Sequence, residues 1–406
     1  MRNKTISAHC PMRRMKTLLL LSVSFGLVAC QSTQGIHFDR IKIDDTIPGG
    51  YGVSVADING DGRLDIIAVA NDPAQFVWYQ NPLWQKHIIS NTSRGNIATA
   101  PYDIDDDGDI DLVLVSEFSL TESTSGGLLE WFENPGNPQD VQQWTSHTID
   151  RMPNSHRVRW VDVLGNGRKI LLNLPLAGVE TQAPEFREGA QLLAYPIPKN
   201  LTGRWPRVVI GERYEMAHGL AVSAANADGK EAVLIASYAG IDMLDFAVND
   251  QFVWTSHLGE GHSGVRPTQG SSEVARGMFD RRQPFVASIE PWLGNEVVVY
   301  RPNSAGDLPW ERTVIDTSLV DGHALQVADL NNDGVDEIVA GNLKPPFSLY
   351  TYRYDKESAQ WQREILGQGR IAVSGIEVAD INGDGRNDIV AIGSSTGNIL
   401  LFQSAP

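Results

Sequence analysis

Cysteine is nearly absent from this sequence. Its 406 residues hold two, Cys10 and Cys30, so the chain beyond position 30 must be held by packing and bound ions rather than disulfides. Long apolar runs are missing too. Leu18 to Val28 is the single candidate, and it is too short to span a bilayer. Positive charge is scarce, with 33 Lys and Arg against 50 Asp and Glu and a formal net charge of −17. Nucleic acid needs a basic footprint and is excluded as a partner. No Gly-rich phosphate loop, nucleophile elbow or Cys-based zinc spacing occurs, which sets aside kinase, elbow-hydrolase and zinc-finger chemistry.

What is present begins with a targeting segment. Arg13, Arg14 and Lys16 precede the apolar run, which ends in Leu27-Val28-Ala29-Cys30. This resembles a bacterial lipoprotein signal. The resemblance implies removal of residues 1–29, Cys10 among them, lipidation of Cys30 and a tether over 30–36. It also implies attachment to the cell envelope through the lipid and, because Gln31 follows the cysteine, placement in the outer membrane. Residues 1–29 hold five basic and no acidic side chains, so the mature chain carries −22.

An acidic loop is repeated four times. The copies are Asp57-Ile-Asn59-Gly-Asp61-Gly-Arg-Leu-Asp65, Asp103-Ile-Asp105-Asp-Asp107-Gly-Asp-Ile-Asp111, Asp329-Leu-Asn331-Asn-Asp333-Gly-Val-Asp-Glu337 and Asp380-Ile-Asn382-Gly-Asp384-Gly-Arg-Asn-Asp388. Each places oxygen side chains at loop positions 1, 3, 5 and 9 and Gly at 6. Carboxylates this crowded repel one another unless a cation neutralises them, and an all-oxygen set of flexible geometry predicts Ca²⁺. An EF-hand would need Glu at position 12, where this chain has Ala68, Leu114, Ala340 or Ala391. These are shorter calcium loops, set between strands.

The repeat also sets the architecture. An aromatic residue followed by a short strand recurs seven times, at Phe38 to Ile43, Trp84 to Ile89, Trp144 to Ile149, Trp205 to Ile210, Trp254 to Leu258, Trp310 to Ile315 and Trp361 to Ile365. The acidic-loop position has seven phases as well, near 57, 103, 162, 224, 276, 329 and 380. Three have lost ligands: Asp162 to Gly167 keeps two, Asn226 to Gly229 lacks the first and last, and the segment near Arg276 keeps none. The first aromatic strand precedes every acidic loop, and the last unit lacks one. An all-β, seven-bladed propeller of four-stranded blades follows over residues 37–406. Phe38 to Ile43 closes the ring on the C-terminal blade, which leaves no open sheet edge. The Trp repeat reads as filling between blades.

In such a blade the acidic loop joins the first strand to the second, so all acidic loops share one face. Segments leading into first strands, and loops joining second to third strands, share the other. His156, His218, Glu273 and His323 sit just before or at the start of first strands. Tyr238, Glu290, Trp292 and Lys344 fall in second-to-third-strand loops. His, Glu, Arg and aromatic groups thus converge on one channel mouth, a natural place for a small ligand. Of Arg157 and Arg159, at most one is expected to face the channel. His37, His87, His147 and His257 read as structural.

The loop-plus-strand unit resembles the FG-GAP or VCBS-type repeat, the calcium-loop propeller also seen in integrin α-subunits. A narrower resemblance rests on Ser155-His156-Arg157-Val158-Arg159-Trp160, Ala217-His218-Gly219-Leu220, Ser272-Glu273-Val274-Ala275, Ile289-Glu290-Pro291-Trp292 and Asp321-Gly322-His323-Ala324. These look like the propeller domain of aldos-2-ulose dehydratases, which eliminate water from keto-sugars. One departure is that Leu293 stands where the resemblance implies a His after Glu-Pro-Trp.

The resemblance implies a carbohydrate lyase. A sugar carbonyl acidifies the neighbouring C–H, and a neutral His can take that proton. The expected roles are His156 as base, Arg157 as enolate stabiliser, and His218 and His323 as acid or ligands of a second divalent metal at the mouth. Tyr238 or a second His would protonate the departing oxygen, Glu273 and Glu290 would orient hydroxyls, Trp292 would stack on the sugar, and Lys344 would complete the substrate site. The competing reading is a carbohydrate- or protein-binding (adhesion) propeller, since fold does not fix function. Either way the chain reads as a monomer or weak oligomer. Convergence of the His, Glu and Arg side chains favours chemistry, and divergence favours binding.

Overall fold

The computed structural model describes residues 35–181, 183, 186–225, 228–246, 253–280 and 282–405. The targeting segment, Cys10 and Cys30 lie outside them, as does all of the tether but its last two residues. Ile36–Pro406 forms one compact unit. It contains seven sheets, each of four antiparallel strands, and no helix among the described residues. The inner strands are Gly50–Ala56, Ala98–Tyr102, Ser155–Val161, Gly219–Val222, Glu273–Asp280, Gly322–Ala328 and Val373–Ala379. Each packs beside the inner strand of the next blade, and the seventh packs beside the first. Phe38–Asp44 pairs antiparallel with Asn398–Ser404 as the outer strand of the seventh blade. The ring is therefore closed by the N-terminal strand, as the order of the repeats predicts.

Second strands such as Asp65–Ala70, Asp111–Ser116 and Asp388–Gly393 are buried along their whole length. They lie mid-sheet between two neighbouring blades, which is why their sequences are continuous apolar runs rather than alternating ones. The aromatic repeat does bridge blades. The backbone N–H groups of Trp144, Trp205 and Trp310 donate to Ile89, Ile149 and Leu258 of the preceding blade's outer strand, while the Trp144 and Trp205 rings are fully buried.

All four acidic loops join first to second strands. Their position-6 glycines take φ between 80° and 96°, a left-handed turn that side-chain-bearing residues adopt only at a cost. The position-9 carboxylates are buried and face inward. Asp65 accepts from the backbone N–H groups of Ile58 and Asn81, Asp111 from Ile104 and Asn134, and Asp388 from Ile381 and Ser404. Glu337 accepts from the Leu330 N–H and the Asn331 side chain.

Two of these partners act as clamps. The Asn81 side chain donates to Leu64 O and, across the blade boundary, to Ile381 O, each at 2.9 Å. Asn134 does the same toward Ile110 O at 3.1 Å and Ile58 O at 2.9 Å. Each clamp thus ties its own acidic loop to the preceding blade's. Asn81→Ala leaves two buried carbonyls without a donor and is expected to cost about 1–3 kcal/mol of unfolding free energy. A denaturant titration reads this, and a loss under ~0.5 kcal/mol would show that the clamp contributes little.

Candidate functional site

The entry to an inner strand carries a left-handed residue in six blades, Gly95 and Gly270 included, and four of these share one spacing to the channel layer. A residue in left-handed conformation stands two positions before a side chain aimed at the channel axis: Gly49 before Tyr51, Asn154 before His156, Met216 before His218 and Asp321 before His323, with φ between 48° and 69°. In three of these blades, and in the seventh, the pairing register also slips around the aimed residue, at Tyr51, His156, His323 and Ser374. A bulge re-aims a side chain that regular pleating would send sideways. Non-glycine residues with positive φ are costly and collect where the surrounding structure over-determines them.

The outcome is a buried polar layer across the channel. Tyr51 Oη lies 2.9 Å from His156 Nε2 and 3.1 Å from His323 Nε2. His323 Nδ1 lies 2.9 Å from the Ser374 carbonyl oxygen. That oxygen can only accept, so Nδ1 carries the proton and Nε2 presents its lone pair to the layer. Glu273 Oε1 lies 2.8 Å from both Arg157 Nη2 and His218 Nδ1. The Arg157 contact is an aligned hydrogen bond, whereas His218 Nδ1 has no aligned partner despite its close approach. Arg157 Nε also donates to His218 O at 3.1 Å. The His156 and His218 rings stand 4.8 Å apart, as do those of His218 and His323. His156, His218 and His323 are each no more than 4% exposed.

Burial governs the protonation states. It pushes His156 well below the ordinary imidazole value, with the charge of Arg157 adding to the effect, and lowers His218 as well. His323 falls to about 3 through burial and then the neighbouring His218 and Arg157 charges. Burial alone would raise Glu273, but Arg157 and then His218 hold it down at about 2. Tyr51 is pushed up to about 12 by burial. At neutral pH the layer therefore holds three neutral imidazoles, a protonated phenol and one carboxylate–guanidinium pair.

Ligand atoms of His218, Glu273 and His323 all lie within 4.8 Å of one another. Two imidazoles and a carboxylate form a familiar zinc-type set. The Ser374 carbonyl orients His323 as backbone partners orient metal-bound imidazoles. Among the acidic loops, Asp103, Asp105 and Asp111 bring three carboxylates equally close. The other three loops carry Asn59, Asn331 and Asn382 at the middle position. Burial, followed in rank by backbone hydrogen bonds that oppose it and by neighbouring carboxylates, leaves Asp65 at about 6, Asp111 at about 7 and Glu337 at about 8.

The layer gathers His156, Arg157, His218, Glu273 and His323, while the other expected site residues lie elsewhere. Glu290 is fully buried within its own blade and accepts from Ser271, Tyr300 and Arg312, so it does not face the layer. Tyr238 and Trp292 pack edge to face with centroids 6.2 Å apart, in an apolar cluster with Leu176, Ala177, Phe186 and Met216. Lys344 is exposed on its loop. Tyr51 was not among the expected residues. Its signals were the Gly49 turn and its register, since Gly50-Tyr51-Gly52 occupies the position that Gly322-His323-Ala324 occupies in the sixth blade.

The open space also differs from expectation. The apolar cluster, with a pocket beside it lined by Met152, Arg187, Glu188 and Glu215, occupies part of the face where the expected mouth would lie. A cavity of about 390 Å³ runs instead along the inner strands, from Tyr51, Arg157, Glu273 and His323 toward Lys169 on the acidic-loop face. Small side chains such as Ala98, Ala100, Ala324 and Gly375 line it and leave the room. Arg157 and Arg159 both line it, contrary to the expectation of at most one, because residues two apart on a strand share a face. Glu377 lines it as well, its carboxyl raised from 4.5 to about 7 by burial, with Arg159 opposing.

A raised carboxyl contributes its stability below pH 4.5 and loses it as pH climbs through 7. Glu377→Gln removes that loss. The variant and the wild type should be equally stable at pH 4, with the variant ahead by about 2–3 kcal/mol at pH 8. Denaturant titrations at the two pH values check this, and equal stability at pH 8 would contradict the burial argument.

Residues 126–303 match the beta-propeller domain of aldos-2-ulose dehydratase, a span that contains His156, Arg157, His218 and Glu273. Residues 57–114 and 329–391 match the FG-GAP-like repeat and contain the four complete acidic loops. No curated protein matches the chain. Among solved structures, BBS1N in complex with ARL6DN, soaked with mercury, is 11% identical, with 90% of this chain and 96% of that chain covered and a TM-score of 0.54. An Agrocybe aegerita lectin that specifically recognises non-reducing terminal N-acetylglucosamine is 14% identical, with 81% and 80% covered and a TM-score of 0.48. The first likeness shows the propeller fold and nothing finer.

Proposed function

We propose that this propeller is a carbohydrate lyase of the dehydratase kind, working in its central channel by proton abstraction beside a sugar carbonyl. One observation carries the reading: side chains from five blades, Tyr51, His156 with Arg157, His218, Glu273 and His323, meet in one buried layer that borders an open cavity. Packing alone would place apolar groups there, because buried polar clusters are costly unless fully satisfied.

His218, Glu273 and His323 would hold a divalent metal, which supplies polarisation of the sugar carbonyl and so acidifies the adjacent C–H. The chain's own residues handle the proton. His156 is neutral, with Nε2 2.9 Å from Tyr51 Oη, and Tyr51 stands between it and the cavity. As Tyr51 passes its own proton to His156 Nε2, it takes the substrate's, and the C–H electron pair becomes an enolate. Arg157, on the cavity wall beside Glu273, faces that charge. The same pair returns the proton to the departing hydroxyl, which leaves as water. Tyr51 thus takes the acid role expected of Tyr238.

The acidic loops would bind Ca²⁺ as structural ions, and the lipidated Cys30 would tether the propeller to the cell envelope. A binding or adhesion propeller is the second reading. It is favoured by the burial of His156 and His218, neither of which lines the cavity.

The test incubates purified mature protein with keto-sugars and with uronic-acid polymers and follows ultraviolet absorbance of a conjugated enone or unsaturated product. Product that appears with metal and disappears in Tyr51→Phe supports the lyase. No product from either class leaves the binding reading in its place.

A further inference from the structure

We propose that the cavity beneath the His–Glu layer is a subsite for a sugar acid, with the Arg159 guanidinium holding the sugar's carboxylate. This rests on the reading of the channel as the place where substrate binds, and it names the substrate class.

The two arginines of the third inner strand differ in their pairing. Arg157 is neutralised by Glu273 at 2.8 Å. Arg159 makes no ion pair among the described residues, and its hydrogen bond runs to the carbonyl of its own neighbour Val158. Yet it lines the cavity and is only partly exposed. Burial and the adjacent Arg157 charge bear against it more than the Glu377 and Glu273 carboxylates, neither of them ion-paired to it, offset. A cation stripped of water beside another cation is costly until an anion joins it. Its planar fork of donors suits a carboxylate in two parallel hydrogen bonds.

The surroundings fit the rest of such a ligand. The cavity, about 390 Å³, falls within the range of small-molecule sites. Glu377 faces the same space without forming an ion pair with Arg159, which leaves it for a sugar hydroxyl. Lys169 stands at the lower end, its own charge shared with Glu231 at 3.4 Å. On a chain this acidic, a channel wall that presents a guanidinium without an ion pair attracts anions locally. A carboxylate placed at Arg159 sets the sugar ring below the Tyr51–His156 pair, because Arg157 and Arg159 follow one another along the same wall.

Calorimetric titration of the calcium-loaded mature protein tests this with glucuronate, galacturonate, their methyl esters and glucose 6-phosphate. The acids should bind at least tenfold more tightly than the esters. Arg159→Gln should abolish that preference, Arg159→Lys should retain part of it, and Lys356→Gln on the exposed outer rim should leave it intact. Equal binding of acid and ester, no binding of either, tighter binding of the sugar phosphate, or a preference that survives in Arg159→Gln would each overturn the subsite. The wild-type comparison decides even if the variant misfolds. Acid preference without elimination would keep the subsite and remove the lyase reading, whereas elimination from neutral keto-sugars without acid preference would do the reverse.

Discussion

Glu273→Ala should lose elimination activity to background and destabilise the propeller by about 3–5 kcal/mol, the cost of stranding a buried charge. Glu273 Oε1 is the shared partner of Arg157 and His218 at 2.8 Å, and both bases sit in a layer from which water is largely excluded. Removing the carboxylate leaves the Arg157 guanidinium beside the His218 carbonyl and the Tyr51 ring with no anionic partner. Glu273→Gln separates the two effects. An amide keeps an acceptor for Arg157 and should recover much of the stability, but it is a poor metal ligand and should not restore activity. Comparing denaturation midpoints and product formation for the two variants checks both statements. Full activity in Glu273→Gln would exclude the metal role, and an undisturbed midpoint in Glu273→Ala would exclude the buried pair as a structural element.

Stripping calcium should lower the melting temperature further than any single substitution. The loop at Asp103 brings three carboxylates within 4.8 Å of one another, and the inner carboxylate of each loop is buried, with Asp111 raised to about 7 and Glu337 to about 8. Without a cation these groups are either repelling charges or protonated against their nature. An ion bound only by the folded state adds about 2.7 kcal/mol per site at a hundredfold excess over its dissociation constant. Four sites would lower Tm by roughly 10 °C or more on chelation. Melting curves in chelator and after calcium is restored measure this. Superimposable curves would mean that the loops close through their own hydrogen bonds, as the loop at Asp162 does by accepting from the backbone of residues 164 to 167.

The ring was legible because its signals are periodic. Acidic loops and Trp-led strands alternate along the chain at intervals of about fifty residues, and the surplus strand at Phe38 could only close the circle. The layer was legible where a residue type carries chemistry on its face, as with His156, His218, Glu273 and His323. Tyr51 escaped because tyrosine at a strand start reads as core, and only its register and the Gly49 turn mark it. Glu290 misled for the opposite reason. A Glu at a strand end looks the same whether it turns to the channel or into its own sheet, and here Tyr300 and Arg312 draw it inward. The Asn81 and Asn134 clamps were invisible as well, because their partners lie in the neighbouring blade. The direction of the cavity depends on side-chain volumes summed around seven strands, which no local pattern reports.

Elemental analysis of the purified mature chain and of His218→Ala tests the channel site most directly. The wild type should carry one equivalent of a non-calcium divalent metal, and the variant none, with calcium unchanged between them. Wild-type protein free of such a metal after growth and dialysis in its presence, or a variant that holds as much, would contradict the assignment of His218, Glu273 and His323.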